Sequence, residues 1–350
     1  MRKQKAFFPV LACLLILGCV DSKVPPADFQ GAVRLSDRPA VITGVVRQLL
    51  PSISDTIGLE RITDVLLLSD TIVVLDRGPQ ITFLSSRLDL LDRWGREGEG
   101  PGEYLNPTAI AAGLWGLAVV DGGTSRATLL DHQGTVLETR SIGERTGNGV
   151  AVVGYDLVVP LMTDTHYLAR IGPASLDPWG PRDHLPERDS VPLGPRMRAF
   201  EEDFVAAGPD LIHVLDGITG DIFGFSPEGS LQQKLVLPAS FAEAMLAGAG
   251  ATSSGPNHAS YRPAFADFFA SRDGRLVFLK AGYREDTEVV GGIIDPRQGI
   301  LVPIVTDLPM DVWRASSSIR AVALLGEDLL VATGSGGLIV LKLKSPEDPR

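Results

Sequence analysis

The chain has 350 residues, 44% of them hydrophobic and 21% charged, the balance of a globular protein with ample core. Its 38 glycines and 25 prolines make turns frequent, yet no low-complexity or collagen-like pattern runs through it. Removing Arg2, Lys3 and Lys5 with a leader leaves 29 basic side chains against 43 acidic. A surface that acidic repels phosphate backbones and anionic headgroups, which argues against nucleic-acid binding.

The leader is the first element. Three cationic residues precede an apolar run from Ala6 to Gly18, thirteen residues long. As a helix that run falls short of a bilayer core of ~30 Å, and it has the length of the apolar region of an export signal. It closes on Ile16-Leu17-Gly18-Cys19, which resembles a bacterial lipobox. The resemblance implies cleavage after Gly18 and a diacylglycerol thioether on Cys19, holding the protein to a membrane of the bacterial cell envelope. The alternative is an ordinary secretory signal with an incidental cysteine. Val20, rather than Asp, follows the lipid position, which resembles the pattern for outer-membrane delivery. Cys13 lies inside the leader, so the mature chain keeps one cysteine, makes no disulfide and depends on its core. Residues 1–18 are read as signal peptide, 19–32 as lipidated tether and 33–345 as one folded domain.

Within that domain six ungapped windows of twelve residues superimpose: TDVLLLSDTIVV from Thr63, TAIAAGLWGLAV from Thr108, NGVAVVGYDLVV from Asn148, DFVAAGPDLIHV from Asp203, DFFASRDGRLVF from Asp267 and AVALLGEDLLVA from Ala321. The third position is always apolar and the tenth always aliphatic, and most copies carry Gly or Asp between. Each window reads as strand, tight turn, strand. A third strand follows, as in Ala127–Leu130 or Ile222–Phe225, then a Gly-containing turn and a fourth strand, as in Leu231–Leu237 or Ile300–Val305. Second strands such as Ile72–Leu75 and Leu157–Val159 are apolar on both faces, so both must be covered. The connections are too short for crossover helices, so neighbouring sheets must cover them. The prediction is an all-β six-bladed β-propeller of four-stranded antiparallel blades. The last unit runs out after its third strand, Leu338–Leu343, and Ala40–Val46 alternates suitably to supply the missing fourth and close the ring.

Two intervals carry extra material. Pro173 to Arg198, rich in Pro, Asp and Arg, is read as an excursion from the third blade. Ser240-Phe241-Ala242-Glu243 has the pattern of a capping box and predicts one short helix before Gly248. The Gly/Ala/Thr/Ser stretch from Ala249 to Gly255 is read as a mobile loop.

The stretch Trp94 to Ala111, WGREGEGPGEYLNPTAIA, is followed by Gly116–Asp121, Arg126 and Gly134. It is similar to an NHL-type repeat and to the Gly-Pro-Gly-Glu junction of exported propellers of the TolB-like superfamily. The match covers the second blade and weakens elsewhere. It implies a propeller and a ligand or partner, and it implies no defined reaction.

Candidate chemistry is sparse. Glu103 stands where a dinucleotide fingerprint would need its third glycine, and a strand follows instead of a helix. The five histidines are far apart, and His213, inside an apolar strand, is read as a hydrogen-bonded core residue. The first positions of the windows, Thr63, Thr108, Asn148, Asp203 and Asp267, would ring one mouth of the central channel. Arg96, Glu103, Tyr104 and Arg126 would share that face. Asn148, Asp203 and Asp267 could hold Ca²⁺, or the ring could be polar lining alone. The glycines and Pro101 could equally shape a blade junction in which Glu103 pairs with an arginine, and Arg126 could pair with Asp121. The function read from this is a non-catalytic binding or scaffold module, with a protein or small molecule on one propeller face. The alternatives are a Ca- or Zn-assisted hydrolase or lyase at the channel mouth, or a subunit of an envelope-assembly complex.

Overall fold

The computed structural model describes residues 32–37, 41–49, 57–59, 61–76, 78–143, 149–161, 166–173, 175–181, 204–217, 220–246, 250–255, 258–262, 265–280, 289–306, 319–325, 328–333 and 337–344. Cys19 and the leader therefore lie outside the described residues, as do Asn148 and Asp203.

Six sheets follow one another in the chain. Blade 1 is Ile62–Leu68, Thr71–Asp76, Ile81–Ser85 and Leu90–Trp94. Blade 2 is Pro107–Gly113, Gly116–Asp121, Arg126–Leu130 and Val136–Ser141. Blade 3 is Ala151–Val153, Asp156–Pro160, His166–Ile171 and Leu176–Pro181. Blade 4 is Phe204–Ala207, Ile212–Leu215, Ile222–Phe225 and Leu231–Val236. Blade 5 is Phe265–Ala270, Leu276–Lys280, Val289–Asp295 and Ile300–Thr306. Blade 6 takes Ile319–Leu325, Asp328–Thr333 and Leu338–Lys344 from the C-terminal end. Its fourth strand is Val41–Leu49, which pairs antiparallel with Leu338–Lys344, from Ile42 opposite Lys344 to Leu49 opposite Leu338. The ring closes as the alternation in 40–46 predicts, and the protein is an all-β six-bladed propeller.

The apolar residues explain the architecture. Second strands are buried on both faces, Gly116–Asp121 and Leu276–Lys280 throughout, whereas the outer strand Leu90–Trp94 is exposed over its first four residues. Six core clusters result, one in each gap between neighbouring sheets. The gap between blades 1 and 2 holds Val73, Leu75, Ile110 and Val119, and the gap between blades 6 and 1 holds Leu330, Val340, Ile72 and Val74. No blade has a core of its own, so each sheet is stable only between two others.

Closure involves more than one strand. Ala32–Arg34 pairs parallel with the outer strand of blade 4, Val33 opposite Leu235. Ser36–Asp37 then pairs parallel with the start of the outer strand of blade 5, Ser36 opposite Ile300. Val41–Thr43 meets the end of that same strand at Ile304–Thr306 before the segment enters blade 6. The N-terminal segment is a clasp across the rims of three blades. It also fills the gap between blades 4 and 5, where Leu35 is buried among Leu235, Leu237, Phe241 and Phe265.

The clasp solves a packing problem that recurs at four of the gaps. The ring of Trp94, on blade 1, lies over Gly134 in the outer turn of blade 2, where a Cβ would come within 2.7 Å of it. Trp179 on blade 3 covers Gly229 of blade 4 in the same way. Between blades 2 and 3 the plug is Arg140, whose guanidinium donates to Tyr155 O at 2.7 Å and Ile171 O at 3.0 Å and pairs with Glu138 at 2.8 Å. Between blades 4 and 5, Val33 of the clasp takes this place, over Gly299.

Three expectations need revision or refinement. The excursion read from Pro173 begins later, because Leu176–Pro181 is the fourth strand of blade 3. Pro178 is tolerated there because an outer strand has one edge with no ladder to complete. The stretch read as a mobile loop contains the strand Gly250–Gly255, which pairs with His258–Arg262 in a hairpin. The helix is present as Ala239–Leu246 and buries Phe241 and Met245, four residues apart on one face, under blades 4 and 5. No helix among the described residues is long and apolar enough to cross a membrane.

Candidate functional site

Each innermost strand enters from the connection between blades, and four of them carry a bulge near that end: Ile62/Asp64, Pro107/Ala109, Phe265/Asp267 and Ile319/Ala321. A bulge turns the following backbone N–H away from the regular ladder. In blades 1 and 5 the residue after the bulge is an aspartate, and each carboxylate bonds in the same way. Asp64 accepts from its own neighbour Val65 N at 2.8 Å and from Ile110 N of blade 2 at 2.8 Å. Asp267 accepts from Phe268 N at 2.7 Å and from Val322 N of blade 6 at 2.7 Å. These are two copies of one latch, joining blade 1 to 2 and blade 5 to 6.

Asp64 was hidden by the ungapped windows, which place Thr63 opposite Asp267. The first turn of blade 1 has two residues, between Leu68 and Thr71, whereas that of blade 5 has five, between Ala270 and Leu276. Aligning strands instead of turns pairs Asp64 with Leu75 and Asp267 with Leu279, at equivalent places. The structural counterparts in blades 2 and 6 are Ala109 and Ala321, which have nothing to donate or accept.

Burial pushes the Asp267 carboxyl up to about 7, against the two backbone N–H groups that favour its ionised form. Burial also raises Asp64 well above the usual carboxylate range, and the charge of Asp267 raises it further. Both residues are half-buried. A carboxyl whose folded pKa exceeds its unfolded value near 3.8 contributes most to stability below that value. The contribution is lost as pH rises through about 7. Denaturation midpoints measured from pH 4 to 8 are therefore expected to decline in the wild type through this pair, and Asp267→Asn should flatten the decline. An unchanged pH slope in Asp267→Asn would contradict the assignment.

Of the threonines, Thr63 serves the same junction as Asp64, whereas Thr108 bonds within its own blade. Thr63 Oγ1 donates to Pro107 O of blade 2 at 3.0 Å, and Thr108 Oγ1 lies 3.5 Å from Val120 O, its potential acceptor. The loop between blades 1 and 2 shares this mouth, as the alternation of strand directions requires. Glu103 folds back beneath its glycines and accepts from Gly100 N at 2.7 Å and from Arg96 Nε at 2.7 Å. Those two bonds hold its carboxyl below the ordinary range, with a smaller contribution from the charge of Arg126. A Cβ on Gly100 would come within 2.8 Å of that carboxylate, which accounts for the glycine. Arg96 itself projects outward, with 79% of its side chain exposed. Tyr104 does not reach the mouth: its ring is buried between blades 1 and 2, and burial raises its pKa.

Asp121 spends its carboxylate on the loop backbone. It accepts from Leu105 N at 2.7 Å, Asn106 N at 3.1 Å, Gly123 N at 2.7 Å and Thr124 N at 3.2 Å. Arg126 sits opposite it in the ladder and half-buried. Asp76 holds the equivalent place in blade 1, with bonds from Arg61 N and Gly78 N. His213 is buried, packed against Gly208 and Gly224, and burial pushes its ring down to about 4, so it is neutral. Among the described residues no three His, Cys, Asp or Glu side chains come together as a metal site.

No family model matches the chain, and no curated protein does. Similarity is found among solved structures. Virginiamycin B lyase from Staphylococcus aureus matches at 10% identity over 85% of this chain and 99% of that one, with a TM-score of 0.51. A putative exported protein from Bacteroides fragilis matches at 9% identity over 89% of this chain and 99% of that one, also at 0.51. At such identities the likeness is one of fold: the chain is a six-bladed β-propeller of the architecture those proteins share.

Proposed function

We propose that this propeller is a lipid-anchored protein of the bacterial cell envelope, related to the NHL and TolB-like propellers, that binds a protein or small molecule at its channel mouth without catalysing a reaction. The observation that carries this reading is how the polar groups of the mouth are used. Thr63, Asp64 and Asp267 direct their oxygens to the backbone of the next blade, so they tie the ring together. The exposed Arg96, Glu97 and Glu99 remain on the same face as a rigid polar surface for recognition. Residues that brace a scaffold and residues that display charge upon it suit a docking module.

The rival is a hydrolase or lyase in which Asn148, Asp203 and Asp267 hold Ca²⁺ or Zn²⁺ to polarise a carbonyl or activate water. The lyase named among the structural neighbours keeps that reading in view. One experiment separates the two. The purified lipidated chain is stripped with chelator, analysed for metal and melted with and without added Ca²⁺. Tagged protein is then recovered from solubilised envelopes. Binding without catalysis predicts no upward melting shift and a stoichiometric partner. Retained metal with a shift of several degrees, lost in Asp203→Asn, would replace it with the metal-assisted reading.

A further inference from the structure

The face opposite the channel mouth carries the turns joining first to second and third to fourth strands. In blades 1, 4 and 5 the described tips of the inner hairpins are polar: Ser69-Asp70, Pro209-Asp210 and Arg272-Asp273. Blades 2 and 3 differ. Leu114 stands at the tip of one hairpin, 96% exposed, and Tyr155 at the tip of the next, 71% exposed.

These tips are braced. Trp115 lies across Gly113 and against Val152 of blade 3, and its Nε1 donates to Gly154 O at 3.0 Å, binding the two hairpins to each other. His132 Nε2 lies 3.1 Å from Leu114 O, and Arg140 donates to Tyr155 O. The backbone of both tips and the Trp115 ring are thus held in place, so a leucine and a tyrosine project from a fixed base and only their side-chain rotamers remain to be ordered on docking.

The polarity of the clasp bears on what covers them. Ala32–Arg34 runs parallel to the outer strand of blade 4, whose first residue, Leu231, follows the turn on this same face. Ala32 stands opposite Lys234, the fourth residue of that strand, and Ser36 N donates to Gly299 O at 3.0 Å in the corresponding turn of blade 5, so the clasp touches this face. Twelve residues separate Ala32 from Cys19, a reach of at most ~45 Å. We infer that Leu114, Trp115 and Tyr155 rest in the interfacial layer of the membrane that carries the Cys19 lipid, an inference that stands on the lipid-anchor reading above. Amphipathic aromatic rings beside an aliphatic side chain suit the boundary between headgroups and acyl chains. A diacylglycerol carries two acyl chains and anchors the chain on its own, so the part left to the braced tips is to set which face of the propeller meets the membrane. The acidic surface of the protein favours a zwitterionic leaflet over an anionic one.

The test uses the full lipidated chain reconstituted into phosphatidylethanolamine–phosphatidylcholine vesicles with a fraction of brominated acyl chains. Flotation reports the anchor, and quenching of tryptophan fluorescence reports contact with the bilayer. The expected result is a floating protein whose fluorescence is quenched by tens of per cent. That quenching should disappear in Trp115→Phe and fall strongly in Leu114→Asp/Tyr155→Asp, while both variants still float. Floating protein with unquenched fluorescence would overturn the inference and leave the anchor standing. Protein that fails to float and carries no lipid mass on Cys19 would overturn both. A photo-crosslinker at position 114 that captures a protein in place of lipid would also overturn it.

Discussion

Removing the clasp, residues 32–49, while keeping the rest of the chain, is expected to leave a protein that does not fold cooperatively. Three losses coincide. Blade 6 loses its fourth strand, which among the described residues is the one that joins the N-terminal part of the chain to the last blade's sheet. The outer strands of blades 4 and 5 lose their parallel partners, and the gap between these blades loses Leu35 and Val33. Because every core cluster lies between two blades, a ring open at one point weakens its neighbours as well. Leu35→Ala isolates the smallest of these losses and should cost about 2–4 kcal/mol, the usual range for a leucine removed from a filled core. Guanidinium denaturation followed by far-UV circular dichroism checks both. The prediction fails if the truncated chain unfolds at the midpoint of the intact one.

Arg140→Ala is expected to cost about 3–5 kcal/mol, unusually much for an arginine. The guanidinium is buried, so its removal strands Tyr155 O and Ile171 O without donors and leaves Glu138 without its partner. Lysine should rescue little, since one ammonium cannot reproduce a planar fork that meets two carbonyls and a carboxylate. Trp179, the buried one of the two tryptophan plugs, lies over Gly229, so Trp179→Ala should cost a similar amount through cavity formation instead. Melting curves of the three variants check the ranking. Destabilisation by Arg140→Ala within about 0.5 kcal/mol, the scale of an exposed pair, would show that the junction is not held this way.

The blades were legible because their second strands carry an unbroken apolar signal and because propeller hairpins recur at similar spacing. The ring closure was legible for a related reason, a last unit one strand short and a spare alternating segment near the start. Details governed by single residues were not. Asp64 escaped because turn lengths differ between blades, and an ungapped comparison preserves turns at the expense of strands. Ala32–Asp37 escaped because its strands are two and three residues long, too short for any periodicity, and are defined only by the edges they meet. Leu176–Pro181 was disguised by Pro178, which excludes a central strand but not an outer one. Gly250–Gly255 has almost no apolar content, so nothing in it distinguishes a hairpin from a loop. Tyr104 was placed on the surface from its position in a polar loop, whereas its ring turns inward to fill the gap beside Phe83 and Val119.

The order in which the clasp meets the blades sets where mechanical load would enter. Tension arriving through the residues before Ala32 reaches the short parallel pairing on blade 4 first, then the contact on blade 5, and only afterwards the seam in blade 6. Pulling along a parallel pair shears its hydrogen bonds together instead of peeling them one after another. The two short strands bear such a load ahead of the seam that closes the ring.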